Sequence, residues 1–201
     1  MGLLDRLPGE GVRGVRVAVA TGVVAALVSG LLAWLTWGLP WDGDPDPAPA
    51  AGTSVDDGLV RVVSRGGGFA LAVPERLTGA KVGKGIRVAR ADRSMVITVA
   101  PGPRRGLRTA HDAAVSDVEA GYPAVRVERG AEATMGGRDA LRSVGSLRRA
   151  DGQQLVFSVT TTARGRRTWS AVMFADRDVT AKQLRRSYQP VLDGFSVVDR
   201  P

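Results

Sequence analysis

One histidine, no cysteine, and scattered carboxylates and arginines are the chemistry-bearing material of this 201-residue chain. His111 lies four residues after Leu107 and four before Val115. On a helix that spacing puts it at the border of an apolar stripe. A hydrolase triad needs a histidine beside a nucleophile and an orienting carboxylate, and no nucleophile with recognisable local context accompanies this one. His111 therefore reads as a partly buried helical side chain rather than a catalytic base. Without cysteine there is no thiol chemistry, zinc–thiolate site or iron–sulfur cluster, and one histidine is too few for a zinc centre. The expected catalytic, cofactor-binding and metal-binding residues are none.

Asp112, Asp117, Glu119, Glu128, Glu132 and Asp139 could in principle supply a glycosidase pair. Neither spacing nor context singles out two of them, and most read as solvated surface. Gly66, Gly67 and Gly68 form the one glycine cluster. A phosphate-cradling loop leads from a strand into a helix, often through Lys-Ser or Lys-Thr; this cluster enters a strand and reads as a flexible joint.

The arginines fall into groups: Arg104, Arg105 and Arg108; Arg148 and Arg149; Arg164, Arg166 and Arg167; Arg185 and Arg186. Near an anionic membrane each basic group contributes on the order of 1 kcal/mol, fading within a Debye length of about 8 Å. These groups are the candidate contacts to anionic lipid or an anionic wall polymer. A second reading has equal standing. Lysine occurs only at 81, 84 and 182, and Ala, Gly and Val abound. That bias fits a GC-rich genome of actinobacterial type, and arginine then needs no functional cause. Nucleic acid is not expected, because no aromatic ladder accompanies the arginines.

What positions any of this begins with Val17–Trp41, a run of 25 uncharged residues. As a helix it reaches roughly 37 Å, enough to cross a hydrocarbon core of about 30 Å with some tilt. Arg6, Arg13 and Arg16 precede it and Asp42, Asp44 and Asp46 follow it. The positive-inside rule keeps residues 1–16 cytoplasmic and puts the rest of the chain outside the cell membrane. Trp34, Trp37 and Trp41 mark the outer interface, where indole rings favour the headgroup layer. The rival is a cleavable signal peptide, with Ala48-Pro49-Ala50 as a loose cleavage site. The run exceeds the 7–15 residues of such a signal's core, and the retained single-pass anchor is the preferred reading. Ala18, Gly22, Ala26 and Gly30 recur every four residues, a spacing that favours a homodimer of spans; an Ala/Gly/Val-rich segment also produces it by chance.

The chain carries +8 overall. Residues 1–16 hold +1 and the three aspartates after the span −3, which leaves +10 for 47–201. Residues 42–58 are a Pro/Asp/Ala linker, a semi-rigid spacer, and 59–201 is one extracytoplasmic domain large enough to fold without disulfides.

Within that domain Phe69, Leu71 and Val73 share one strand face, and Ile86–Ala89 and Met95–Val99 are strands either side of a turn at 91–94. Leu107 to Val118 follows helical spacing, with Thr109 and Asp112 as its cap and Gly121 as its end. Strands follow from Val125, across a Gly136-Gly137 turn, over Leu141–Leu147, and through an Asp151-Gly152 hairpin to Leu155, Phe157 and Val159. Trp169–Ala175 is apolar on both faces, hence central. A last helix starts at Thr180 with Gln183 as capping-box partner, buries Leu184, Tyr188, Val191 and Leu192, and ends at Gly194. Phe195 and Val197 then dock as a closing strand. Hairpins with two covering helices predict an α+β fold with an antiparallel sheet flanked by helices.

The stretch GFALAVPERL (Gly68–Leu77), the strand MGGRDALRS after a Gly-x-x-Ala turn, the Asp-Gly hairpin and the ending VLDGFSVV (Val191–Val198) together resemble the Mog1/PsbP-like domains. The resemblance covers Phe69 to Val198. Leu77 stands where an aromatic is common, and Gly194 replaces a usual serine. It implies an α/β/α sandwich after the transmembrane helix, and binding or assembly roles rather than catalysis, although fold does not fix function. The expected function is a non-catalytic, membrane-anchored binding or scaffolding protein of the bacterial envelope. Its expected partners are the bilayer, an anionic lipid or wall polymer, or another envelope protein. The alternatives are a cell-wall hydrolase with a carboxylate pair, and an assembly subunit of a membrane complex.

Overall fold

The structure is a computed structural model that describes residues 53–55 and 58–199. The run 17–41, with Trp34, Trp37, Trp41 and the Ala18, Gly22, Ala26, Gly30 stripe, lies outside the described residues. Among the described residues no helix is long and apolar enough to cross a membrane.

Strands β1 (Thr53–Val55), β2 (Leu59–Ser64) and β3 (Phe69–Pro74) open the domain, followed by β4 (Leu77–Val82), β5 (Gly85–Arg90) and β6 (Met95–Pro101). Helix α1 (Leu107–Gly121) leads to β7 (Ala124–Met135), β8 (Arg138–Arg148), β9 (Gln154–Arg164) and β10 (Arg167–Asp176). Helix α2 (Ala181–Asp193) and β11 (Phe195–Val197) close it. All pairings are antiparallel, as expected. The strands divide into two sheets, however, where one was expected: β1-β2-β3-β11, and β4-β5-β6-β10-β9-β8-β7.

Alternation along the seven-stranded sheet explains the layers. Ile86, Val88, Met95, Ile97, Val99, Trp169, Ala171 and Met173 point one way. They share a core with Val62, Phe69, Leu71 and Val73 of the smaller sheet and with Tyr188, Val191 and Leu192 of α2. The smaller sheet and α2 thus cover one face together. The opposite face carries Phe157, Val159 and Phe174 and packs against α1 through Ala110, Val115 and Val118. β10 sits between β6 and β9, which accounts for a strand buried on both sides. β7 is the last strand of its sheet, and its pairing with β8 shifts register between Glu128 and Ala131.

Local signals set the ends of α2. Thr180 Oγ1 accepts from the Gln183 backbone N–H at 3.3 Å, and the Gln183 side chain accepts from the Thr180 N–H at 2.9 Å. Helix α1 differs from the expected start: its N-cap is Gly106, with no side-chain cap, and Thr109 lies inside the first turn. β1 also falls within the stretch read as a spacer and pairs with β2, Thr53 opposite Arg61 and Val55 opposite Leu59.

Candidate basic end of the sheet

Strand polarity sorts the turns into two ends. β5 begins at Gly85, β6 ends at Pro101, β9 ends at Arg164 and β10 begins at Arg167, so all four meet at one end. Pro101 lies opposite Trp169, and the Gly102 N–H donates to the Thr168 carbonyl at 2.9 Å. Thr168 Oγ1 donates to the Pro103 carbonyl at 2.7 Å. Those bonds place Arg104 and Arg105 beside the hairpin that carries Arg164, Arg166 and Arg167. Arg108, in the first turn of α1, follows them. Two of the four arginine groups therefore come together.

Arg148 and Arg149 do not join them. They lie at the far end, where β8 turns into β9, and Arg149 Nη2 pairs with Asp151 at 3.4 Å. Arg185 and Arg186 stand in the first half of α2, which leaves that same far end after β10; the Arg186 carbonyl there accepts from Arg76.

Between the converging turns lies a groove of about 630 Å³, lined by Gly66, Gly67, Lys84, Arg104, Arg167 and Trp169 among others. Asp199 is the sole acid among the described residues lining it. Its carboxylate pairs with Arg164 Nη1 at 2.8 Å, both side chains being well exposed, so the pair adds little stability.

The groove's floor is tightly built. The Trp169 indole N–H donates to the Gly67 carbonyl at 3.0 Å, and Ser64 Oγ donates to the Lys84 carbonyl at 2.7 Å. The Gly67 N–H donates to Ser64 Oγ at 3.1 Å. A Cβ on Gly67 would sit 2.2 Å from the Lys84 carbonyl oxygen. Where a flexible joint was expected, Gly66 is exposed while Gly67 and Gly68 are buried in a hydrogen-bonded turn. Arg167 is held as well: its guanidinium carbon lies 5.1 Å from the Trp169 ring centre, and Nη2 donates to the Gly68 carbonyl at 3.4 Å. Gly68 has φ +70°, and a Cβ there would meet Arg167 Nη2 at 1.9 Å. A guanidinium has five N–H donors in a fixed fork, and seating it on indole fixes where that fork points. Such an arrangement suits phosphate or carboxylate oxygens. Lys84 and Trp169 were not singled out from sequence. Lys84 stands in a Gly-Lys-Gly turn, a signal for its exposure but not for its neighbours.

His111 is buried, at 3% exposure. Its Nε2 shares a hydrogen bond with Ser143 Oγ at 2.9 Å and its Nδ1 one with Thr161 Oγ1 at 3.2 Å; Thr161 Oγ1 also meets Ser170 Oγ at 3.0 Å. These groups join α1 to the sheet beneath it, and the side chain is more fully buried than its border position predicts. Among the described residues no cluster of three or more His, Cys, Asp or Glu could hold a metal ion.

Three carboxylates gather at the far end. Asp92 and Asp176 line an open depression with Asp178 and Arg177. Partial burial, then the charges of Asp178 and Asp92, push the Asp176 carboxyl above its ordinary value. Hydrogen bonds from Ser94 hold Asp92 below its own. Gln153 Nε2 donates to Asp176 Oδ1 at 2.8 Å.

No protein-family profile and no curated protein sequence matches the chain. Solved structures do. A protein from Bacteroides thetaiotaomicron is similar over 70% of this chain at 10% identity, with a TM-score of 0.51; the chain spans 48% of that protein's length. A variant of the protein Mog1 is similar over 70% of this chain and 96% of its own, at 15% identity and a TM-score of 0.50. LpqN of Mycobacterium tuberculosis, described as involved in cell envelope biogenesis, is similar over 65% of this chain and 83% of its own, at 15% identity and a TM-score of 0.47. In its antiparallel strands, two helices and closing strand, the described part of this chain shares the fold of Mog1.

Proposed function

We propose that this protein is a non-catalytic binding or scaffolding module of the cell envelope, anchored by residues 17–41 and facing outward, whose basic end engages phosphate- or carboxylate-bearing partners. The observation that carries the reading is the convergence of Lys84, Arg104 and Arg167 on a groove with Asp199 as its one described acid. Its rigid floor favours recognition, because little ordering remains to be done on binding.

A hydrolase would need two carboxylates facing each other across a cleft. Asp92 and Asp176 share an open depression, and each already accepts a hydrogen bond from a neighbour, Ser94 and Gln153 respectively, so binding is the better-supported activity.

The test is the full chain in neutral nanodiscs, titrated with soluble polyphosphate as an anionic probe. Binding should weaken steeply between low and high salt, and weaken further in an Arg104→Ala/Arg166→Ala variant. Binding that ignores both salt and the variant overturns the reading. So does release of sugar fragments from purified wall material, if Asp92→Asn or Asp176→Asn abolishes it.

A further inference from the structure

Resting on the anchored reading above, we infer that the basic end is a lipid-docking surface: the domain sits with Lys84, Arg104, Arg105, Arg108, Arg166 and Arg167 against anionic headgroups of the bilayer that holds its anchor.

Two independent observations point the same way. The first is charge placement. The strand ends bring those side chains to one end of the seven-stranded sheet, and Arg104, Arg105, Arg108 and Arg166 are exposed there. At the other end cations alternate with acids: Arg90 pairs with Asp92 at 3.0 Å, Arg149 with Asp151, and Asp176 and Asp178 lie alongside. The far end also carries Arg148, Arg177, Arg185 and Arg186, but four aspartates, Asp92, Asp151, Asp176 and Asp178, offset them. The groove at the basic end has Asp199 as its one described acid, so an anionic surface gains more from the basic end.

The second observation is the polarity of β1. β2 runs towards the basic end, where Ser64 bonds to the Lys84 carbonyl. β1 is antiparallel to it, with Thr53 opposite Arg61 and Val55 opposite Leu59. Followed backwards, the backbone at Thr53 therefore points to the basic end. From Trp41 to Thr53 only residues 42–52 intervene. Eleven residues, even fully extended, span at most about 40 Å. A domain of this size is itself about 40 Å across, from a radius of gyration near 15 Å. With the basic end down, the tether is slack. With the far end down, it must first double back past β1, against the direction in which the strand points. Tether and charge thus favour one orientation.

The test uses the full chain in vesicles of phosphatidylcholine, with or without phosphatidylglycerol. The chain has no cysteine, so one label can be placed cleanly at Thr109→Cys, exposed near the basic end, or at Ala150→Cys, exposed at the far end. Quenching by a spin label on lipid headgroups reports which end is near the surface. With phosphatidylglycerol at low salt, the Thr109 label should be quenched several-fold more than the Ala150 label. High salt, or phosphatidylcholine alone, should reduce that bias. Arg104→Ala/Arg105→Ala/Arg166→Ala should remove most of it, since each charge is worth roughly fivefold in partition. Arg148→Ala/Arg185→Ala/Arg186→Ala removes the same net charge and should leave it. Circular dichroism checks that both variants are folded.

Equal quenching at both labels, a bias towards Ala150, or equal effects of the two triple variants overturns the docking. Absence of bias together with capture of soluble poly(glycerol phosphate) assigns the surface to a wall polymer and overturns it too. The anchor is read separately: a chain that an alkaline wash strips from phosphatidylcholine vesicles, yet keeps its bias on anionic ones, overturns the anchor and not the docking.

Discussion

The indole of Trp169 donates its N–H to the carbonyl of Gly67, 102 residues away in sequence, at 3.0 Å. This bond ties the first residues of β10 to the turn before β3, so it joins the two sheets at the base of the basic groove. Trp169→Phe keeps an aromatic ring but leaves a buried carbonyl without its donor and a gap where the indole lay. The expected loss is about 2–4 kcal/mol of stability, read by urea denaturation. Because Arg167 rests on the same indole, phosphate-probe binding by the folded variant should also weaken.

His111 is expected to matter for folding alone. Its ring nitrogens meet Ser143 and Thr161 under α1, and His111→Ala deletes both contacts and opens a cavity. Stability should fall by about 2–4 kcal/mol, while phosphate-probe binding by the folded fraction stays unchanged. A selective loss of binding with normal stability would contradict this role.

Gly136 occupies the β7–β8 turn with φ +60°, and a Cβ there would lie 2.1 Å from the Phe195 carbonyl oxygen. Its N–H donates to the Leu192 carbonyl at 2.8 Å. Gly136→Ala is strained twice, by the backbone angle and by the approach of β11. The cost should exceed about 1 kcal/mol. Gly137→Ala, at φ +68° with open space around it, should cost less. Thermal unfolding of the two variants makes the comparison.

Burial pushes the Asp117 carboxyl on α1 above its ordinary value of 3.8. The folded state therefore holds this proton more tightly than the unfolded chain. Stability from this group is greatest below the unfolded pKa and is lost as pH rises through the higher folded one. Asp117→Asn removes that loss. The variant should melt above the parent at pH 7, with the gap closing as the pH falls below about 4.

Thr180→Ala removes the hydroxyl that accepts from Gln183 N. The expected cost is about 1 kcal/mol, seen as a lower midpoint in denaturant with an unchanged slope.

Elements whose signals are local were legible in the sequence. The Thr180–Gln183 box and the alternation of Leu155, Phe157 and Val159 need no distant partner. β4 was not legible, because its burial recurs at Leu77 and Ala80 rather than at alternate residues. At Gly79 the missing side chain leaves room for Val62 and Val73 to close on one face of the strand. The division into two sheets depends on pairings across the whole chain, such as β11 with β3. The start of α1 was misplaced because Gly106 offers no side-chain cap to read. The basic site was half visible. Its arginines stand out by type, but Arg104 and Arg167 meet only because β6 pairs with β10, a long-range choice that no local pattern encodes.

The register shift in β7 bears on what its exposed edge offers to another strand. A straight outer strand of 12 residues would offer a continuous row of free backbone donors and acceptors to any passing chain. The irregularity between Glu128 and Ala131 breaks that row near its middle, and Arg126, Glu128 and Glu132 place charges along it. Crowded side by side, such domains would resist zipping into a shared sheet.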